Sequence, residues 1–364
     1  MEWSPERKRS AYMEWAKLSS AARFNLATSG LTNVTMPEFP VRVEDLEITG
    51  GGYGYAPLLE RIARQSGAPV ESIVTAAGTS MANHLALAAL LEPGDEVVLE
   101  EPTYGLLLDV LNYLGARVRR VARRFENDFA ISLGEMEAAI AVAPATRLVV
   151  LSNLHNPSGA LIPAETLRAI GELAARVGAR VLVDEVYLEM LFDSAAPFSF
   201  SLGKNFVVTT SLTKAYGLSG LRCGWILAEP ELARRMWRLN DLFAATPAHP
   251  AERMSVIAFD HLAQFRERAR TLLRANRKLL DEFLDSREDL ECFRPPAGSV
   301  AFPRLTSGDT AAFVRLLREK YETSVVPGEF FEAPRHFRLG IGGETSTLRE
   351  GLARLGAALD EFSR

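Results

Sequence analysis

The chain is poor in the residues that cross-link proteins or hold metals. It has two cysteines, Cys223 and Cys292, far apart in sequence, and five scattered histidines. That scarcity argues against a disulfide framework and against a Cys/His metal cluster as an organising element. No apolar run approaches the roughly 20 residues needed to cross a bilayer. The first nine residues, rich in Glu, Arg and Lys, lack the apolar core of a secretory signal. Positive charge is not in excess either: 41 Lys and Arg stand against 46 Asp and Glu, a formal net charge of −5. The electrostatic footprint of a nucleic-acid binder is therefore missing. Repeats and low-complexity tracts are also missing. These absences predict a cytoplasmic protein with reduced cysteines, no metal, and neither membrane nor nucleic acid as partner.

What is present is a long alternation of strand and helix patterns. Apolar runs such as Leu148–Leu151, Val181–Val183 and Phe206–Val208 recur between amphipathic stretches across roughly 45–245. That pattern predicts an α/β fold built on a mainly parallel sheet with helices on both faces. Helices are expected over 163–177, about 264–287, 310–321 and 347–362, with strands near 296–302 and around Arg338. At 364 residues the chain exceeds one ordinary domain.

The stretch Ser211-Leu-Thr213-Lys214-Ala-Tyr216-Gly-Leu-Ser-Gly220-Leu-Arg222 carries the most chemistry. A lysine held just past a strand can form a Schiff base with an aldehyde cofactor. The hydroxyls of Ser211 and Thr213 and the planar fork of Arg222 suit a phosphate. Ser211 to Lys214 also fits an S-x-x-K pattern with serine as nucleophile, but that chemistry needs S-D-N and K-T-G elements, and neither occurs. Upstream, Arg180 to Tyr187 reads as a buried strand that delivers Asp184 at its C-terminal end, where open α/β sheets present ligands. Asn156-Pro157-Ser158-Gly159 is a turn after another apolar run. Ala77-Gly78-Thr79 joins a strand to a helix through small residues, which lets backbone N–H groups approach a phosphate. Tyr104 follows a third strand. The glycine cluster at 50–54 lacks a full G-x-G-x-x-G and is not a dinucleotide fingerprint.

Taken in order, Gly78-Thr79, Tyr104, Asn156, Asp184, Tyr187, Lys214 and Arg222 resemble the signature of the class I/II aminotransferases. These are fold-type I, aspartate aminotransferase-like enzymes that use pyridoxal 5'-phosphate (PLP). The resemblance implies a large domain over 46–246 with a mostly parallel seven-stranded sheet, one strand antiparallel. A small α/β domain would come from 1–45 and 247–364, joined through the long helix. It also implies roles. Lys214 would hold the cofactor and move the Cα proton, and Asp184 would keep the ring nitrogen protonated. Tyr104 would stack on the ring, while Asn156 and Tyr187 would reach its phenolic oxygen. Ala77, Gly78, Thr79, Ser211, Thr213 and Arg222 would hold the phosphate. Arg338 in His336-Phe-Arg-Leu-Gly340 would clamp the substrate carboxylate, with Gly30 and Asn156 close by and 33–39 lining the side-chain pocket. Tyr53, or else Tyr55, would cross into the phosphate site of a second subunit, so a homodimer with shared sites is expected. The implied reaction moves an amino group between an amino acid and a 2-keto acid. The same parts also serve elimination, decarboxylation or a synthase reaction on an unusual amino acid.

Overall fold

A computed structural model describes residues 8–46, 51–141, 146–194 and 197–362. Its centre is a seven-stranded sheet made from β1 (Ile73–Ala77), β2 (Glu96–Glu101), β3 (Arg117–Ala122), β4 (Thr146–Ser152), β5 (Arg180–Asp184), β6 (Phe206–Ser211) and β7 (Cys223–Leu227). The spatial order is β1-β7-β6-β5-β4-β2-β3. Only β7 runs antiparallel, pairing with β1 on one side and β6 on the other. The remaining pairs are parallel. The central strands are continuous apolar runs because helices cover both faces. Val181, Leu182 and Val183 of β5 have no solvent exposure.

This topology decides where chemistry can sit. Strands β4, β5 and β6 end along one edge, with Ser152 opposite Asp184 and Asp184 opposite Thr209. Because β7 runs the other way, its first residue, Cys223, lies beside Ala77 at the end of β1. Arg222, one position before β7, therefore arrives at the edge where the other strands finish.

The expected helix at 163–177 is observed as Ala164–Arg176. The long helix runs Leu262–Asp285 and buries Phe265, Ala269, Leu273, Asn276, Leu280 and Leu284, one stripe at helical spacing. Beyond it, Phe337–Gly340 is the middle strand of a three-stranded antiparallel sheet, flanked by Val300–Ala301 and Val326–Pro327. The strand expected near 296–302 forms only over those two residues, because Gly298, at φ +94°, turns the chain just before them. The N-terminal segment returns to this region through Phe24–Asn25, which pairs in parallel with Thr323–Ser324. Ahead of that strand lies α1 (Ala11–Leu18), started by Ser10, whose hydroxyl accepts from the Met13 N–H. Residues 47–50, at the start of the glycine cluster, lie outside the described residues.

Candidate active site

A cavity of about 350 Å³ opens at the edge where β4, β5 and β6 finish, and Thr79, Tyr104, Asn156, Asp184, Tyr187, Thr213, Lys214 and Arg222 all line it. Segments from 79 to 222 thus meet at one place because each follows a strand that ends there.

Lys214 lies three residues past the end of β6, and its Nζ donates to Ser29 Oγ at 3.0 Å. Burial lowers its pKa, which favours the neutral amine needed for nucleophilic and base chemistry. Gly30 rests against the lysine stem, where an added Cβ would sit 3.5 Å from Lys214 Cδ. Asp184 ends β5. Its carboxylate accepts from Asn83 Nδ2 at 2.8 Å and from the Val186 N–H at 3.1 Å. Burial raises the carboxyl to about 6, although both donors favour its charged form.

At the other end, Gly78 opens the helix Gly78–Leu90 directly after β1. Its φ of +76° is a left-handed conformation that suits glycine. A Cβ there would strike the Arg222 guanidinium, 2.8 Å from Cζ. Arg222 donates to the Ser219 and Ala77 carbonyls, each at 3.1 Å. Thr79 Oγ1 donates to Ser211 Oγ at 2.8 Å, and Ser211 Oγ also accepts from the Thr213 N–H at 3.2 Å. Glycine, hydroxyls, an arginine and a helix N-terminus form a cradle for an anion.

Two hydroxyls complete the set. Tyr187 Oη and Thr213 Oγ1 are buried without a hydrogen-bond partner among the described residues. Burial pushes the Tyr187 phenol up to about 12, so it stays protonated and able to donate. Buried hydroxyls with nothing to bond are costly unless a ligand meets them. A phosphate cradle at one end, a buried carboxylate at the other, an amine and an aromatic ring between them and orphaned hydroxyls nearby fit PLP. When bound, that cofactor supplies an electron-poor ring that withdraws electrons from the substrate Cα.

Arg338 lies just behind the cavity. Its Nη1 donates to Asn156 Oδ1 at 2.8 Å, while Nη2 donates to Tyr12 Oη at 3.0 Å and to the Ala27 carbonyl at 3.2 Å. Asn156 is held in turn by the hydroxyl of Ser152, which accepts its N–H at 3.2 Å. Ser152 donates through both N–H and Oγ to Glu100 Oε1, at 2.7 and 2.6 Å. Glu100 pairs with Arg123 at 2.8 Å, and both side chains are essentially without exposure.

One expectation parts from the structure. Residues 33–39 do not border the cavity; Asn33 accepts from Ser219, and Phe39 stacks on Phe265 of the long helix. The wall is supplied instead by α1 and the turn after it, through Tyr12, Met13, Trp15, Lys17 and Ser20. Tyr53, expected to serve a second subunit, lies outside the cavity of its own chain, 57% exposed and donating to Asp241 at 2.8 Å. Tyr55 accepts from Arg253 at 3.3 Å and packs on His249.

Reasoning from sequence missed Tyr12, Ser29, Asn83 and Ser152. Asn83 had a signal, since it stands four residues after Thr79 on one helical face. Tyr12 had none.

Residues 43–355 match the family model for aminotransferase class I and II. The arginine–pyruvate transaminase of Pseudomonas aeruginosa is 32% identical over 314 residues, 84% of this chain and 79% of its own. The capreomycidine synthase of Streptomyces vinaceus is 30% identical over 357 residues, 94% of this chain and 91% of its own. The crystal structure of a PLP-dependent aminotransferase from Streptococcus suis superposes with a TM-score of 0.91 at 26% identity, covering 98% of both chains.

Proposed function

We propose how the site works in a chain that belongs to the class I and II aminotransferases, the PLP-dependent enzymes that move an amino group between an amino acid and a 2-keto acid. The amine of Lys214 would hold the cofactor and would serve as the base for the substrate Cα proton. Asp184, as a carboxylate, holds the proton on the ring nitrogen. Arg222, Ser211 and Thr213 would hold the phosphate, with Gly78, whose N–H donates to the Arg222 carbonyl at 2.8 Å, leaving room for the guanidinium, and Tyr187 and Asn156 would donate to the phenolic oxygen. Arg338 orients the substrate carboxylate. The observation that carries this reading is the convergence of Lys214, Asp184 and the Gly78–Arg222 cradle on one cavity.

Arginine with pyruvate is the first donor–acceptor pair to test, from the relative that is 32% identical. Holoprotein given arginine and no acceptor should release about one equivalent of 2-keto acid per protomer and stop, then turn over when pyruvate is added. A full panel of amino acids that yields no keto acid would sink transamination. The second reading is a synthase reaction, favoured by the match to capreomycidine synthase across 94% of this chain. It predicts a product that keeps its nitrogen, with no keto acid formed.

A homodimer with shared sites follows from the same reading. Tyr53, Tyr113, Leu242 and Phe243 form an exposed apolar patch: Tyr113 and Phe243 pack on His84, and Tyr53 packs on Trp237 and donates to Asp241, beside Leu242. Such patches mark interfaces, and this one includes the tyrosine assigned to reach the partner's phosphate. Sedimentation as a monomer at micromolar concentration would overturn the assignment. The division into a large domain (46–246) and a small one (1–45 with 247–364) is supported by the pairing of Phe24–Asn25 with Thr323–Ser324. A cytoplasmic setting accords with two free cysteines.

A further inference from the structure

The guanidinium of Arg338 has no solvent exposure. A carboxylate is gripped best by two parallel N–H groups of an arginine. One such pair is already committed in part: Nη1 to Asn156, and Nη2 to Tyr12 and Ala27. On the side-on edge, formed by Nε and Nη2, Nε is buried without a partner among the described residues. Nη2, the other half of that edge, is held by the Tyr12 hydroxyl and the Ala27 carbonyl.

Something must move before a carboxylate can reach this arginine. Arg338 is held in the middle strand of its sheet, and Ala27 offers a backbone carbonyl. Tyr12 belongs to the eight-residue helix α1, too short to be stable on its own. That helix is held by side-chain packing: Tyr12 against Tyr104, Phe330 and Phe331, and Trp15 against Phe330 at 5.4 Å. Its other face is open, with Leu18 77% exposed.

We propose that Tyr12 is an internal ligand of Arg338 that the substrate carboxylate displaces, so that carboxylate binding and release of α1 from the site are one event. The inference rests on the reading of Arg338 as the carboxylate site. Tyr12 is then a specificity residue: a ligand gains the arginine only by outcompeting the phenol, which a carboxylate does through its charge and second oxygen. Burial alone would push the Tyr12 phenol up, but the charges of Arg338 and Lys214 outweigh it and bring the group below its ordinary value, a sign of how strongly this oxygen is held.

The test uses holoprotein and propionate, a carboxylate without an amine. Binding is followed by tryptophan fluorescence, with Trp15→Phe identifying the signal from α1. Tyr12→Phe keeps the ring packing and removes the competing oxygen, so propionate should bind about tenfold more tightly, equivalent to losing one hydrogen bond to a charged group. The Trp15 signal should change on binding in the parent protein. A variant damaged in folding would not gain affinity. Unchanged or weaker binding in Tyr12→Phe, with binding still abolished by Arg338→Gln, overturns the proposal alone. Binding that survives Arg338→Gln overturns the carboxylate reading of Arg338 and the proposal with it.

Discussion

A methyl group on Gly78 separates the cost of folding from the cost of holding a phosphate. In Gly78→Ala the new Cβ would lie 2.8 Å from Arg222 Cζ and closer still to Nη2. The obstacle is the far end of a flexible side chain, so the guanidinium swings aside and the backbone stays. The folding penalty is then that of a left-handed alanine at φ +76°, about 1–2 kcal/mol. For a chain of this size that lowers Tm by no more than roughly 4 °C. The functional penalty is larger, because Arg222 leaves its seat on the Ala77 and Ser219 carbonyls. Losing a charge-assisted hydrogen bond costs roughly 1.5–3 kcal/mol, or about 10- to 150-fold in Kd. Absorbance titration of the cofactor-free variant with PLP measures that affinity, and calorimetry measures Tm. An affinity within twofold of the parent would refute the assignment of this cradle to the phosphate.

Asp184 sets a second pair of expectations. Burial lifts its folded-state pKa to about 6, above the ordinary carboxyl value, so this group favours the empty fold below about pH 4 and loses that contribution as pH rises through 6. Urea unfolding of the empty protein at pH 5 and pH 7.5 should show that loss, and the difference between parent and Asp184→Asn isolates it. PLP affinity should run the other way, weakening as pH falls through about 6, and Asp184→Asn should flatten that profile; a parallel profile in the variant contradicts the role. Glu100→Leu leaves Arg123 buried and uncompensated, at a cost of roughly 3–5 kcal/mol in urea unfolding. A loss below 1 kcal/mol would mean that water reaches the pair.

Much of this site was legible because its residues follow strands. Asp184 and Lys214 come after continuous apolar runs, and a two-sided sheet must place the ends of such runs along one edge. The helices Ala164–Arg176 and Leu262–Asp285 were equally readable from their spacing. Tyr12 was not, because nothing local marks a tyrosine on a short helix as the partner of an arginine 326 residues away. The failure of 33–39 to line the pocket has the same origin. That segment is held by Ser219 and the long helix, contacts that sequence spacing does not express. Arg222 sits between these cases: its type and distance from Lys214 were informative, but only the reversed direction of β7 explains its arrival.

The most direct test of the central claim is the absorbance spectrum of the protein purified with PLP, compared with Lys214→Ala. A visible-edge band is expected in the parent and not in the variant, with loss of that band from the parent on adding an amino acid that it then converts to a keto acid. A parent protein that binds PLP without such a band, or a variant that keeps it, would contradict the assignment of Lys214 as the cofactor lysine.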